Sequence, residues 1–428
     1  QISPVEAVKA LRDSATLPAE EAFKAERKRF VALRDSDQSK ALRHIFFAER
    51  QTAKVPEIEG VEPLAVEAVG VIGGGTMGAG IAAATLLAGL PVTMIERDDA
   101  SLEAGLSRVG TLLDASRKRG VVDDARLDTL LSSLGGSTDY SALGDTDLVI
   151  EAAFEEMDVK RDIFARLDRA TRPDTILATN TSYMDVGRIA ESVADPSRVI
   201  GLHFFSPAHI MKLVEVIRTD RVAPRVLATG FAFAKRLNKV PVLSGVCEGF
   251  IGNRILTAYR RQCDFMLEDG ALPHEIDAAM KEFGLPMGIY EMQDMAGLDI
   301  SWAMRKRLAA TRDPAERYVR IADRLCELGR FGQKTGAGWY NYEEGRRNGA
   351  TDPLVETIII EESEAKGIVR KSIGADEIRR RILEAMTGEA KAILAEGIAL
   401  KPGDVDVVMV LGYGFPRWRG GPMFMASE

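Results

Sequence analysis

Val69-Gly70-Val71-Ile72 runs directly into Gly73-Gly74-Gly75-Thr76-Met77-Gly78, and a mostly small, apolar stretch from Ala79 to Leu87 follows. A short β-branched run, a glycine-rich turn and a helix-forming segment place the GxGxxG pattern in the context it requires. Gly73 permits the tight turn, Gly75 lets the backbone approach a pyrophosphate, and Gly78 lets helix pack on strand. Free N–H groups at the helix start attract the phosphates. A glycine-rich turn alone has an equally good structural explanation, so a second feature decides. The next strand, Val92-Thr93-Met94-Ile95, ends at Glu96, close to the ~20-residue offset at which an acidic side chain receives the ribose hydroxyls. A carboxylate there repels a 2′-phosphate, which favours NAD over NADP. Arg97 is the one neighbour that could pair with such a phosphate.

Working outward, short β-branched runs recur at Ala68 to Ile72, Pro91 to Ile95, Asp147 to Glu151, Thr175 to Ala178, Val199 to His203, Lys212 to Ile217 and Val240 to Leu243. Most alternate with helical stretches, a rhythm that predicts a mainly parallel sheet covered by helices. Upstream, Pro4 to about Arg50 reads as one or two amphipathic helices, ended by Pro56 and Gly60. After Val246 strand signals fade and helical periodicity begins with Ile251 to Glu268. A gapped repeat links Leu267-Glu268-Asp269-Gly270-Ala271-Leu272-Pro273, Asp277 and Gly284-Leu285-Pro286 with Ala395 to Pro402, Asp406 and Gly414-Phe415-Pro416. The expected architecture is an α/β Rossmann-type dinucleotide-binding domain (61–246), preceded by linker helices (1–60) and followed by two related all-α domains (247–345 and 346–428).

Composition excludes several classes. With 428 residues, 46% hydrophobic and 28% charged, the chain is long enough for more than one core. The net charge of −8, with Lys and Arg spread along the chain, gives no footprint for nucleic acid. Three cysteines without CxxC spacing, and four histidines without HxxxH spacing, offer neither a disulfide framework nor a metal site. No apolar run reaches the ~18 residues of a membrane span. Gln1 in place of Met leads us to expect a fragment of a longer chain.

Ligands of open α/β sheets bind beyond the carboxyl ends of the strands. Three polar residues sit there: Glu155, Ser182 in Thr179-Asn180-Thr181-Ser182, and His203 closing Val199-Ile200-Gly201-Leu202-His203. His203 could equally be a core histidine, but Glu215 weighs against that. It lies within Lys212-Leu213-Val214-Glu215-Val216-Ile217, where a buried carboxylate needs a partner. A strand ending at His203, a turn through Pro207 and a return strand would bring the two together. A carboxylate on one imidazole nitrogen fixes the tautomer and leaves the other to take a proton from an alcohol. Ser182 and Asn253 could contact the reacting oxygen. The competing readings make Ser182 a cap of the following helix and Asn253 a partner of loop backbone.

Gly201-Leu202-His203-Phe204-Phe205-Ser206-Pro207, Lys212 to Ile217, Glu248-Gly249-Phe250-Ile251-Gly252-Asn253-Arg254 and Asn180-Thr181-Ser182 resemble the 3-hydroxyacyl-CoA dehydrogenase family. The likeness runs from about residue 66 to the end. It is strongest to the multifunctional β-oxidation enzymes, whose linker helix Ala41 to Arg50 resembles. The resemblance implies an NAD-dependent L-3-hydroxyacyl-CoA dehydrogenase with His203 as base, Glu215 as its orienting partner, and Ser182 and Asn253 on substrate. It also implies cofactor contacts at Met77, Glu96, Ala153, Phe154, Glu155, Lys160, Ser182 and Ser206, beside the glycines Gly73, Gly75 and Gly78. Ser206 departs from the Asn common among relatives. Implied partners are an acyl-CoA substrate, an upstream enoyl-CoA hydratase domain of the parent chain and a thiolase. Ala, Arg and Gly content points to a bacterial cytoplasm, with the peroxisome as the alternative. Two rivals remain: an NAD-linked dehydrogenase of a hydroxy acid lacking CoA, and a catalytically silent NAD-binding protein.

Overall fold

The computed structural model describes residues 1–309, 312–343 and 349–427. Its centre is an eight-stranded sheet of β1 (Val69–Ile72), β2 (Val92–Ile95), β3 (Leu134–Ser137), β4 (Leu148–Glu151), β5 (Ile176–Thr179), β6 (Val199–Phe204), β7 (Leu213–Arg218) and β8 (Val240–Gly245). The spatial order is β3-β2-β1-β4-β5-β6-β7-β8, and every pair is parallel except β6 with β7. All residues of β1, β4, β5 and β6 are buried, which explains why these strands read as continuous apolar runs rather than alternating ones. The helix Thr76–Leu87 is buried from Gly78 to Leu86. At Gly78 an added Cβ would lie 1.8 Å from the Gly73 carbonyl oxygen, so only glycine lets this helix start against the strand.

The seven expected strands are present, and β3 is the eighth. Leu134-Gly135-Gly136-Ser137 is half glycine and carries no β-branched residue, so nothing in its side chains announces a strand. Its pairing with β2 along the sheet edge, Val92 opposite Leu134 to Ile95 opposite Ser137, creates it. The amino-terminal stretch forms three helices rather than one or two: Ser3–Thr16, Ala19–Arg34 and Asp37–Gln51. Pro18 stands at the start of the second, and the Ser36 hydroxyl caps the third by accepting from the Ser39 N–H. The first two bury no residue, whereas the third buries Ala41, Ile45 and Ala48.

The described chain divides into two compact units. One comprises residues 1–254, 390–413 and 417 onward; the other comprises 255–389 and 414–416. This division does not follow chain order as the four expected domains do, because the helix Pro402–Gly412 packs on β7, β8 and the Asp37–Gln51 helix. The expected boundary at 345/346, like Glu428, lies outside the described residues. The helix Gly252–Asp269 begins in the first unit and continues into the second.

The repeat has a structural counterpart within each unit. Asp277 accepts the Tyr290 and Glu291 N–H groups at the start of the helix Ile289–Ala296. Asp406 accepts those of Met423 and Phe424 at the start of the helix Pro422–Ser427. Each carboxylate takes a third donor, Tyr340 at 2.8 Å in one and His44 at 2.8 Å in the other. Burial is the first influence on both and pushes their carboxyls upward, Asp277 to about 6.

Asp404, two residues earlier in the Pro402–Gly412 helix, is buried with no hydrogen bond to either carboxylate oxygen among the described residues, and the Lys401 ammonium stands 3.7 Å away. Burial raises its carboxyl from the ordinary 3.8 to about 7. The folded chain therefore holds a proton that the unfolded chain releases between those values, and stability falls as pH rises through that window. Asp404→Asn removes the loss. Thermal unfolding should show the variant more stable than the parent at pH 8, by about 1–3 kcal/mol, with the gap closing toward pH 4. An equal difference at both pH values would count against a buried, titrating Asp404.

Candidate active site

The antiparallel register of β6 and β7 places His203 directly opposite Glu215. His203 Nδ1 lies 2.7 Å from Glu215 Oε2. Glu215 is fully buried and His203 is 4% exposed. The second carboxylate oxygen, Oε1, accepts the N–H groups of Ile251 (3.2 Å) and Gly252 (3.0 Å). These open the helix Gly252–Asp269, whose positive end favours a buried anion. An ionised Glu215 offers acceptors only, so it selects the imidazole tautomer with its proton on Nδ1 and leaves Nε2 as the acceptor nitrogen. Nε2 makes no hydrogen bond among the described residues. The rings of Phe205 and Phe250 stand 4.6 and 5.7 Å from the imidazole and wall it in. Phe250 holds a left-handed backbone, φ +51°, in the turn that delivers Ile251 and Gly252, a local strain of the kind that a surrounding structure sustains at functional sites.

Ser182 lies in the turn after β5. It does not cap the helix that follows: Asp185 does, accepting from Gly187 and Arg188. The turn is held by Glu155, which accepts the Thr181 hydroxyl (2.5 Å) and the Ser182 N–H (2.9 Å). Burial pushes the Glu155 carboxyl upward, but the Lys160 ammonium and these two donors outweigh it and hold the group below its usual range. Asn253, in the first turn of the Gly252–Asp269 helix, extends Nδ2 to the Ser182 carbonyl at 3.5 Å and accepts the Tyr413 hydroxyl at 2.8 Å. Ser182, His203, Glu215 and Asn253 all belong to the first unit.

A cleft of about 1160 Å³ is lined by Gly73, Gly75, Glu96, Ala153 and Phe154, five of the expected cofactor residues. At Gly75 an added Cβ would meet no atom within 4 Å, so the missing side chain leaves the cleft open where a pyrophosphate would pass. Glu96 accepts the Gly74 N–H at 2.6 Å and the Arg97 N–H at 3.1 Å. Arg97 is turned to Asp98 at 2.9 Å, which draws it from the role of phosphate partner. These residues fit a dinucleotide with free ribose hydroxyls. Met77 is half-buried in the first helical turn, Gly78 is packed on Gly73, and Ser206 is exposed beside the Ser206–Pro207 cis bond.

Lys160 is buried behind the cleft. Its side chain is 1% exposed, and its ammonium donates to Glu151 Oε1 and Oε2 at 2.8 and 3.0 Å, with Glu155 Oε2 at 3.2 Å. Its ammonium is thus held between two carboxylates, the outer of which carries the Ser182 turn. Glu151, which also accepts the Thr179 hydroxyl, was missed, although the reasoning that singled out Glu215 applies to it: a carboxylate ends the apolar run Leu148-Val149-Ile150. Arg108, which reaches the Gly74 carbonyl at 2.8 Å from the helix Asp99–Lys118, carries no sequence signal.

Comparison with known proteins places these features among relatives. The family model described as 3-hydroxyacyl-CoA dehydrogenase, NAD binding domain, matches residues 68–247, and that described as its C-terminal domain matches 249–342. The peroxisomal bifunctional enzyme of Cavia porcellus is 42% identical over 448 residues, covering 100% of this chain and 61% of the relative. The chain thus spans about three fifths of the length of that relative. The crystal structure of 3-hydroxybutyryl-CoA dehydrogenase from Escherichia coli superposes with a TM-score of 0.73 at 28% identity, over 85% of this chain and 92% of that one. The (S)-3-hydroxybutyryl-CoA dehydrogenase from Ralstonia eutropha gives 0.61 at 35% identity, over 65% and 100%. No helix among the described residues is long and apolar enough to cross a membrane.

Glu215→Gln tests the dyad. Two N–H donors hold the Oε1 position, so the new amide must turn its NH₂ to Nδ1 and force the proton to Nε2, the wrong tautomer for a base. Turnover should fall by about 10²- to 10⁴-fold with dinucleotide affinity within about twofold. A variant within threefold of the parent in turnover would show that the imidazole needs no orienting carboxylate.

Proposed function

Since the chain belongs to the 3-hydroxyacyl-CoA dehydrogenase family, we propose that it oxidises the 3-hydroxyl of L-3-hydroxyacyl-CoA to a 3-oxo group with NAD. The observation that carries the reading is the His203–Glu215 pair, 2.7 Å apart in a buried register at the carboxyl end of β6. NAD held in the cleft lined by Gly73, Gly75 and Glu96 would supply the acceptor for the hydride that leaves the carbinol carbon. His203 Nε2 takes the hydroxyl proton, and Glu215 stabilises the imidazolium that results while keeping the ring turned to the cleft. Ser182 and Asn253 hold the reacting oxygen. Phe205 and Phe250 exclude water from the imidazole. In the cofactor cleft Glu96 receives the adenosine ribose, Gly75 admits the pyrophosphate, and Lys160 acts behind Glu155 to fix the turn that carries Ser182.

The larger setting is inferred from the relatives. The name bifunctional enzyme, together with the 61% coverage, supports a parent chain with a second activity; we read it as the enoyl-CoA hydratase that the resemblance implies, with a thiolase consuming the 3-oxoacyl-CoA product. The peroxisomal name of the relative favours the peroxisome over the bacterial cytoplasm.

Reduced-nicotinamide absorbance tests this directly. 3-Hydroxybutyryl-CoA with NAD should be turned over and free 3-hydroxybutyrate should not, with NAD preferred to NADP. Turnover of the free acid alone would favour a dehydrogenase of non-CoA hydroxy acids. His203→Ala should lower kcat by at least about 10³-fold and leave NAD affinity within about twofold; unchanged turnover would overturn His203 as the base, and NAD binding without turnover in the parent would leave a silent NAD-binding protein.

A further inference from the structure

Asn253 owes its orientation to a residue 160 positions away. Tyr413 closes the helix Pro402–Gly412, and its hydroxyl can only donate to Asn253 Oδ1, because a carbonyl oxygen has no proton to give. The 2.8 Å bond therefore commits Oδ1 and turns Nδ2 toward the Ser182 carbonyl, 3.5 Å away. We propose that Tyr413 is a positioning residue of the dehydrogenase site: it presents Asn253 as a hydrogen-bond donor to the substrate oxygen on which His203 acts. This rests on the functional reading above and names a residue that the reading does not include.

The surroundings are built for that ring. At Gly252 an added Cβ would lie 2.3 Å from Tyr413 Cε2, so the helix carrying Asn253 can start only where no side chain competes with the tyrosine. Gly252 is also the residue whose N–H donates to Glu215. The opposite edge of the Tyr413 ring meets Phe205 at 5.6 Å and 81°, and Phe205 in turn packs on His203. Its helix is seated by Gly412, where an added Cβ would come within 2.8 Å of Leu213 in β7 and 3.2 Å of Phe205. The same helix carries Asp406, bound to His44 of the Asp37–Gln51 helix. The site therefore draws on three distant parts of the chain, and the last of them contributes through one hydroxyl.

Tyr413→Phe keeps the ring and deletes that hydroxyl. With 3-hydroxybutyryl-CoA, kcat/KM should fall about 3- to 10-fold, the scale of one neutral hydrogen bond, while NAD affinity and Tm stay unchanged. In an Asn253→Ala background the same substitution should change kcat/KM by less than about 1.5-fold, because no amide is left to orient. Parental kcat/KM in Tyr413→Phe, or an undiminished loss in the Asn253→Ala background, would overturn the assignment while leaving the dehydrogenase intact. An inactive parent would instead overturn the functional reading, and this inference with it. Should Tyr413→Phe unfold, Tyr413→Leu offers a smaller side chain without a donor, with a loss expected in the parental background and less than about 1.5-fold change beside Asn253→Ala.

Discussion

The Glu215 carboxylate is the constraint around which the first unit is arranged. A fully buried anion destabilises a fold by several kcal/mol unless every lone pair finds a donor. Here one oxygen faces His203 across the β6–β7 ladder and the other closes the first N–H groups of the Gly252–Asp269 helix. Sheet register, imidazole tautomer and the entry of that helix are thus settled by the same group. The antiparallel return of β7, the single exception in an otherwise parallel sheet, is what makes the meeting possible.

A second buried charge does comparable work on the neighbouring strands. Lys160 bridges Glu151 and Glu155, and Glu155 in turn gathers the Thr181 hydroxyl and the Ser182 N–H. Charge balance is local: one ammonium between two carboxylates, the outer of which still has room for the turn. The polar side chains around the cleft therefore divide into those that face it and those that hold the former in place. Burial separates the two classes, since Lys160 and Glu151 are enclosed whereas Arg97 and Asp158, which line the cleft, are exposed.

Much of this was legible in the chain, for physical reasons that also explain the failures. GxGxxG between an apolar run and a helix, with Glu96 at the next strand end, carries backbone constraints that few residues satisfy. Glu215 was legible because a carboxylate in an apolar strand demands an explanation. Glu151 makes the same demand more quietly, from the end of its strand. β3 was not legible, since its pairing along the sheet edge rather than its side chains makes it a strand. The third amino-terminal helix was hidden by continuous charge-rich periodicity, with Pro18 and Ser36 as the only punctuation. Arg108 and Tyr413 act through contacts between segments far apart in sequence, which periodicity cannot register. The grouping of residues 390–413 with the sheet has the same origin.

Asp277 and Asp406 bind the start of a following helix in the same manner, yet one takes its third donor from Tyr340 and the other from His44. Had the two helical modules been identical subunits of a symmetric pair, any substitution would have appeared twice and each would have had to tolerate it in both settings. In a single polypeptide each position is specified separately, so one carboxylate can take a phenol and the other an imidazole from an amino-terminal helix.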